Sequence, residues 1–493
     1  IGNEAFIDCR NLTSITIPDS VTNIRISAFS GCTALNSVTI PDSVTSIGSS
    51  VFSGCSKLTI ITIGNGVTRI GEFAFQSCTS LTSITIPDSV TGIGNNAFSR
   101  CTSLKSVTID GITGIGAEAF IFCRSLTGIT MDDVTGIGNG AFASCTSLRS
   151  ITIPDTVTRI GVYAFRSCTS LTSVTIGDGV TSIDNWAFQS CIALTSVTIP
   201  DSVKSVGQNT FYGCTKLKSI TIGDSVTSIG ASAFFGCTSL TNITIPDGVT
   251  SIGGSTFRGC TSLTSIAIPD SVTSIGTSAF AGCTSLASVT IPDSVISIGD
   301  QAFLSCSGLT RVTIPKNVTS IGAKAFYDLP NLSSVYFSGN SPSIGLEAFD
   351  LAANGFAVYF NQDSRGFSSP AWKGYTAYSY AAPKFTSSPP AGSAFINAPY
   401  SHTCNATGTP SATFMVTEGF LPDGLTLSSE GLISGSPVAV GTFTGKITAT
   451  NGFLEGVTQN FSIQVRDGNT NPAPLPEIRT AIEFSFDAVN GVS

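Results

Sequence analysis

Cys78-Thr-Ser-Leu81-Thr-Ser-Ile84-Thr-Ile86-Pro87-Asp88-Ser89-Val90-Thr-Gly-Ile93-Gly94-Asn95-Asn96-Ala97-Phe98-Ser-Arg-Cys101 is one copy of a pattern that fills most of the chain. Ile84 and Ile86 alternate with Ser83 and Thr85, the period of a strand with one buried face. Pro87-Asp88 then predicts a turn, because Pro fixes φ and Asp bonds back to nearby backbone. Val90 and Ile93 begin a second short extended segment. Gly94 recurs at Gly48, Gly71, Gly116, Gly138 and Gly161, so the position calls for positive φ or for close backbone approach. Asn96-Ala97-Phe98, on to Cys101, is expected to form a short helical or 3-10 turn.

Outward from this copy, the phenylalanines set the ruler. They fall at Phe6, Phe29, Phe52, Phe75, Phe98, Phe120, Phe142, Phe165, Phe188, Phe211, Phe234, Phe257, Phe280, Phe303, Phe326 and Phe349, in steps of 23 residues with two steps of 22. Both short units lose their residue at the turn, where Ile109-Asp110-Gly111-Ile112 and Met131-Asp132-Asp133-Val134 stand. One such unit cannot bury its own apolar face, so neighbours must stack on it. The period lies in the leucine-rich-repeat range. The expected fold is a β-rich leucine-rich-repeat solenoid of about sixteen units over residues 1–349, with short strands and short helical or 3-10 turns.

Composition narrows the function. The chain has 493 residues, a net charge of −8 and only 11% charged residues, with Thr, Ser and Gly in their place. Nucleic-acid binding needs a basic stripe, and none is visible. No apolar run is long enough to span a bilayer. The one histidine, His402, lies far from the repeats in sequence, so they hold no Ser-His-Asp or Cys-His pair. Neither an enzyme nor a cofactor is expected. His402 beside Cys404 reads as structural, with a metal site as the weaker alternative.

Fourteen cysteines form one column from Cys9 to Cys306. Their expected state is buried and reduced, although rungs about 5 Å apart would also allow disulfides, and a metal is a third possibility. The Asp column (Asp19, Asp42, Asp88, Asp155, Asp201, Asp247, Asp270, Asp293) reads as turn chemistry, with Ca²⁺ as the alternative.

The candidate binding face is the exposed strand column Thr85, Thr108, Thr130, Thr152, Thr175, Thr198, Thr221 and Thr244, flanked by Ser83, Ser106, Ser150, Ser173, Ser196 and Ser219. A second Thr column follows the turn at Thr22, Thr45, Thr68 and Thr91. Thr ladders stabilise sheets by themselves. A hydroxyl lattice could also hold a glycan or order water as ice-binding surfaces do. Ala267 and Tyr336 interrupt it.

After Phe349 come Val358-Tyr359-Phe360, Trp372, Tyr375, Tyr378 and Tyr380, and 350–382 is expected to cap the stack. Residues 383–466 carry short alternating runs with Gly and Pro turns, such as Phe443–Ala449 and Phe461–Val465, which predict an all-β Ig-like sandwich. Residues 467–477 read as a linker. Ile482-Glu-Phe484-Ser-Phe486 reads as one further strand, so 467–493 is expected to be a linker plus the first strand of a truncated or subunit-swapped element. Ile1 already lies inside a unit, which suggests a processed or excised piece. An open first unit at Phe6, together with Ile482, Phe484 and Phe486, supplies candidate self-assembly contacts.

The unit from Cys78 through Gly94 with Asn96-Ala97-Phe98, recurring over about residues 1–350, resembles the BspA-like class of leucine-rich repeats. The stretch Leu421-Pro-Asp-Gly-Leu-Thr-Leu427, with Gly431-Leu-Ile-Ser-Gly-Ser-Pro437 and Ala449-Thr-Asn-Gly452, resembles the Ig-like (cadherin-like) module of bacterial surface proteins. These resemblances imply a secreted or cell-surface protein, bacterial above all, with adhesion or host-component binding as its role and no catalytic residues. The partners they imply are an extracellular protein or glycan; copies of the chain itself are the alternative, in an extracellular filament.

Overall fold

The computed structural model describes residues 1–109, 111–452 and 456–468. It divides into two compact units, Ile1–Tyr378 and a second from Ser379 onward. Among the described residues there is no helix, and none is long and apolar enough to cross a membrane.

In the first unit most rungs contribute a longer strand such as Ser83–Ile86 and a two-residue strand such as Gly92–Ile93, and Ser14, Ile24 and Thr244 form single bridges instead. Both pair in parallel with the same strand one rung away. Ser83, Ile84, Thr85 and Ile86 lie opposite Ser106, Val107, Thr108 and Ile109. The two-residue strands build a nine-stranded sheet from Ser46–Ile47 to Ser228–Ile229 and a five-stranded one from Ser251–Ile252 to Ser343–Ile344. Alternation works as the sequence implies: Ile84 and Ile86 are buried, and Ser83 and Thr85 face out. The shortened rungs keep register, with Ile109 opposite Met131.

The segment from Asn96 to Cys101 is not a helix. The N–H groups of Ala97, Ser99 and Cys101 do close local turns, onto Gly94, Asn96 and Phe98. Those of Asn96, Phe98 and Arg100, however, donate to Ala117, Ala119 and Ile121 of the next rung at 2.7–2.8 Å. Asn96 (φ 56°) and Arg100 (φ 62°) take left-handed backbone to make this possible. Turn and ladder share the donors, so a continuous helix cannot form. Close approach explains the Gly column, since a Cβ on Gly94 would lie 2.6 Å from the Gly71 carbonyl carbon.

The core is a set of stacked columns. The sixteen column phenylalanines stack rung to rung, Phe29 on Phe52 at 5.4 Å and Phe326 on Phe349 at 5.4 Å, for example. Beyond Phe349, Tyr375 meets that ring edge-on at 5.5 Å, accepts the Phe349 N–H and donates to Asp350. Trp372 is buried against Phe337 at 5.3 Å.

Among its described residues the second unit is all β. Ala391–Phe395, Val457–Arg466, Gly441–Thr450 and Thr413–Gly419 form one sheet in that order, and Tyr400–Thr403, Leu432–Gly435 and Leu425–Leu427 form another. Between them Cys404, Phe414, Ile433, Ile447, Phe461 and Ile463 make a separate core.

Candidate ligand-binding face

The rungs carry several hydroxyl columns, and hydrogen bonding separates them into two kinds. After the turn, the hydroxyls of Thr45, Thr68 and Thr91 donate to the carbonyls of Thr22, Thr45 and Thr68 one rung back, at 3.1–3.4 Å. In the turn, Ser89 donates to Val67 at 2.7 Å and Ser202 to Val180 at 2.7 Å. Just before the strand, Thr172 donates to Arg149 at 3.0 Å and Thr195 to Thr172 at 3.3 Å. These three columns tie rungs together.

The strand column differs. Thr85, Thr108, Thr130, Thr152, Thr175, Thr198, Thr221 and Thr244 are all exposed. They stand opposite one another in register, as in Thr85–Thr108, Thr152–Thr175 and Thr198–Thr221. Alternation turns their side chains away from the backbone ladder, and among the described residues none of the eight hydroxyls has a hydrogen-bond partner. Ser83, Ser106, Ser150, Ser173, Ser196 and Ser219 run beside them, also exposed. Ala267 takes the Thr position opposite Thr290, so the rung does not need a hydroxyl there to form. Exposed Ile60 interrupts the Ser column.

Shallow depressions line this face. One of about 940 Å³ runs past Thr16, Thr39 and Thr62 to Asp19 and Asp42, and one of about 570 Å³ lies between Thr198, Thr221, Asp201 and Asp224. The Asp column edges both, and it is partly engaged in the fold. Asp42 accepts the Asn65 N–H at 2.7 Å, and Asp155 and Asp201 accept those of Asp178 and Asp224 at 2.8 Å. Among the described residues no three His, Cys, Asp or Glu side chains come together as metal ligands.

The cysteines are free. Cys9 is exposed, and the other column members are buried with the thiol donating to a Phe carbonyl one rung back. Burial pushes the Cys55, Cys101, Cys168 and Cys214 thiols up to about 12, against the smaller opposing pull of a backbone hydrogen bond. At Cys55 the neighbouring Cys32 adds to the rise. Such thiols are neutral packing groups. His402 lies on the strand Tyr400–Thr403, and its Nε2 is buried with no hydrogen-bond partner.

Of the proposed assembly residues, Phe6 is half-buried and stacks on Phe29 at 5.0 Å. Ile482, Phe484 and Phe486 lie outside the described residues. Sequence reading did not separate the hydroxyl columns, since a Thr bonded to a carbonyl and a free Thr look alike in a repeat. Nor did it find the aromatic strip on the turn segments described below.

Comparison with known proteins agrees with this architecture. Residues 1–127, 135–261 and 227–354 match the BspA type leucine rich repeat region, and residues 368–466 match the family described as "Putative Ig domain". A leucine-rich repeat protein from Bacteroides ovatus is 30% identical, with a TM-score of 0.58, over 75% of this chain and 92% of its own. A leucine rich cell surface protein from Faecalibacterium prausnitzii is 38% identical over 58% of this chain and 88% of its own, with a TM-score of 0.39. No protein of curated function matches. With repeat matches over most of its length and the Bacteroides structure covered almost end to end, the chain belongs to the BspA-type leucine-rich-repeat proteins.

Proposed function

We propose that this chain is a non-enzymatic cell-surface or secreted scaffold that holds an extracellular ligand, a protein or a glycan, on its Thr- and Ser-lined strand face. The carrying observation is the division among hydroxyl columns. Several are bonded into the rungs, and the Thr column on the strand face has its donors and acceptors free, in register over consecutive rungs. Free hydroxyls at fixed spacing on a rigid sheet lose little entropy on binding a polar ligand. The depressions beside Thr39, Thr62, Thr198 and Thr221 give that ligand a concave seat, which weighs against a flat ice-binding plane. Family membership and the named surface location of the Faecalibacterium relative support an extracellular setting.

The test is a panel of immobilised glycans and extracellular-matrix proteins, probed with the parent chain and with Thr175→Val/Thr198→Val/Thr221→Val. Valine keeps shape and β-branching and removes only the hydroxyls. The expected result is a ligand whose affinity falls at least tenfold in the triple variant. Ligands that bind both proteins equally would overturn the assignment to this face.

A further inference from the structure

The turn segments make a second long surface, and between residues 163 and 258 it carries two stacked aromatic pairs. Two places before the column Phe, seven of the sixteen rungs carry Ser or Asn, as at Ser50, Ser232 and Ser255, and besides Tyr163 and Trp186 the one other aromatic is Phe73. Tyr163 and Trp186 hold that position in consecutive rungs and stack at 5.1 Å. One place after the column Phe, Tyr212 and Phe235 follow in consecutive rungs and stack at 4.6 Å with 8° between the planes. Arg166 lies over the Tyr163 ring at 5.2 Å and Arg258 over the Phe235 ring at 5.7 Å. The four rings are half-exposed and the two arginines exposed. Tyr163 (φ 58°) and Trp186 (φ 56°) sit in left-handed backbone, where a bulky side chain is strained. Core packing does not call for them, since the buried Phe column already fills each rung.

We propose that this strip is a docking site for an acidic peptide segment of another protein. Trp, Tyr and Arg are the residues that dominate protein-binding hot spots. Their stacking fixes them before a partner arrives, so less rotamer freedom is lost on binding. Charge points to the partner's chemistry. The chain as a whole carries −8, yet between 163 and 258 these two columns hold two arginines and no acidic residue. The edges of the two stacked pairs carry the positive end of the aromatic quadrupole. Edges and guanidinium groups together favour carboxylates.

The probe is a fluorescein-labelled twelve-residue peptide of alternating Glu and Leu, set against its Gln-for-Glu counterpart and against chitohexaose. Trp186 gives a second readout, because the other tryptophan, Trp372, is buried. The Glu peptide is expected to bind saturably, at least tenfold more tightly than the Gln peptide, and more weakly as salt rises. Trp186→Ser/Tyr212→Ser/Arg258→Ser should lose at least tenfold in affinity; serine already stands in both columns elsewhere, at Ser232 and Ser53. Arg166→Gln/Arg258→Gln, which alters only exposed groups, should show the same loss. The Thr175/Thr198/Thr221 valine variant should bind the peptide as the parent does, so failure on the strand face and failure here are distinguishable. The proposal is overturned by absence of saturable binding, by equal binding of the two peptides, or by binding that survives both strip variants. It is equally overturned if chitohexaose binds through these residues while the peptide does not, or if the strip instead drives self-association in sedimentation.

Discussion

The thiol of Cys55 donates to the carbonyl oxygen of Phe29, one rung back, at 3.2 Å. That oxygen also accepts the Cys32 N–H at 3.2 Å, so one carbonyl joins two rungs. A proton held in this way has a thermodynamic consequence. The thiols of Cys55, Cys101, Cys168 and Cys214 stay neutral up to about 12 in the folded chain and ionise near about 8.5 when unfolded. A raised folded value means that the stabilisation is complete below the unfolded value and is lost as pH climbs toward the folded one. The solenoid should therefore lose stability steeply between about pH 8.5 and 12, which denaturant titrations at stepped pH would measure. Thiol labelling at pH 8 should find one fast group, Cys9, and the remaining fourteen of the fifteen only in denaturant. Several fast thiols in the folded chain would contradict this packing.

Two glycines should answer oppositely to alanine. At Gly94 a Cβ would meet the Gly71 carbonyl carbon at 2.6 Å and the Glu72 nitrogen at 2.7 Å, both backbone. Gly94→Ala should cost about 1–3 kcal/mol as the rungs are forced apart. At Gly114 nothing lies within 4 Å, so Gly114→Ala should be neutral or stabilise by up to about 1 kcal/mol. Denaturant midpoints of the two variants give the comparison directly.

Phe188 stacks between Phe165 at 5.3 Å and Phe211 at 5.5 Å. Phe188→Ala should cost about 3–5 kcal/mol locally. Because rung contacts are nearest-neighbour, amide exchange should rise in the rungs of Phe165, Phe188 and Phe211, and protection near Phe29 and Phe326 should hold. A uniform loss of protection along the array would show a single cooperative block instead.

The division between hydroxyl columns can be tested without any ligand. Thr181 donates to the Thr158 carbonyl at 3.0 Å, so Thr181→Val should cost about 0.5 kcal/mol, the low end for a hydrogen bond because the site is exposed. The same isosteric change at Thr175 removes no hydrogen bond and should leave the melting temperature unchanged or slightly higher. Equal losses at the two positions would mean that the strand-face hydroxyls also serve the fold.

Much of this was readable in the chain itself. The Phe spacing announced the rungs, and Ile84 and Ile86 against Ser83 and Thr85 announced which face is buried. The turn segment misled because its local i to i−3 bonds are real at Ala97, Ser99 and Cys101. What interrupts the helix is the alternate set of donors pointing to the next rung, a partner that lies outside any local window. Left-handed φ at Asn96 and Arg100 gave no warning, since Arg100 is not a residue that advertises it. The free and bonded Thr columns differ only in where a carbonyl one rung away happens to lie. The aromatic strip escaped because Tyr163 and Trp186 occupy one column and Tyr212 and Phe235 another, and their stacking is visible only once the rungs are in register.

The cysteine-to-carbonyl and hydroxyl-to-carbonyl bonds of the solenoid recur at sequence separations of 22 to 26 residues, and the shortened rungs keep register despite a missing residue. A rung thus asks nothing of the chain beyond its immediate neighbours. In genetic language, whole units can be duplicated or deleted by unequal recombination and still be born into a folded array. The length of the displayed face is then a heritable variable, and lineages can adjust reach by copy number while each surviving rung keeps its surface residues free to diverge.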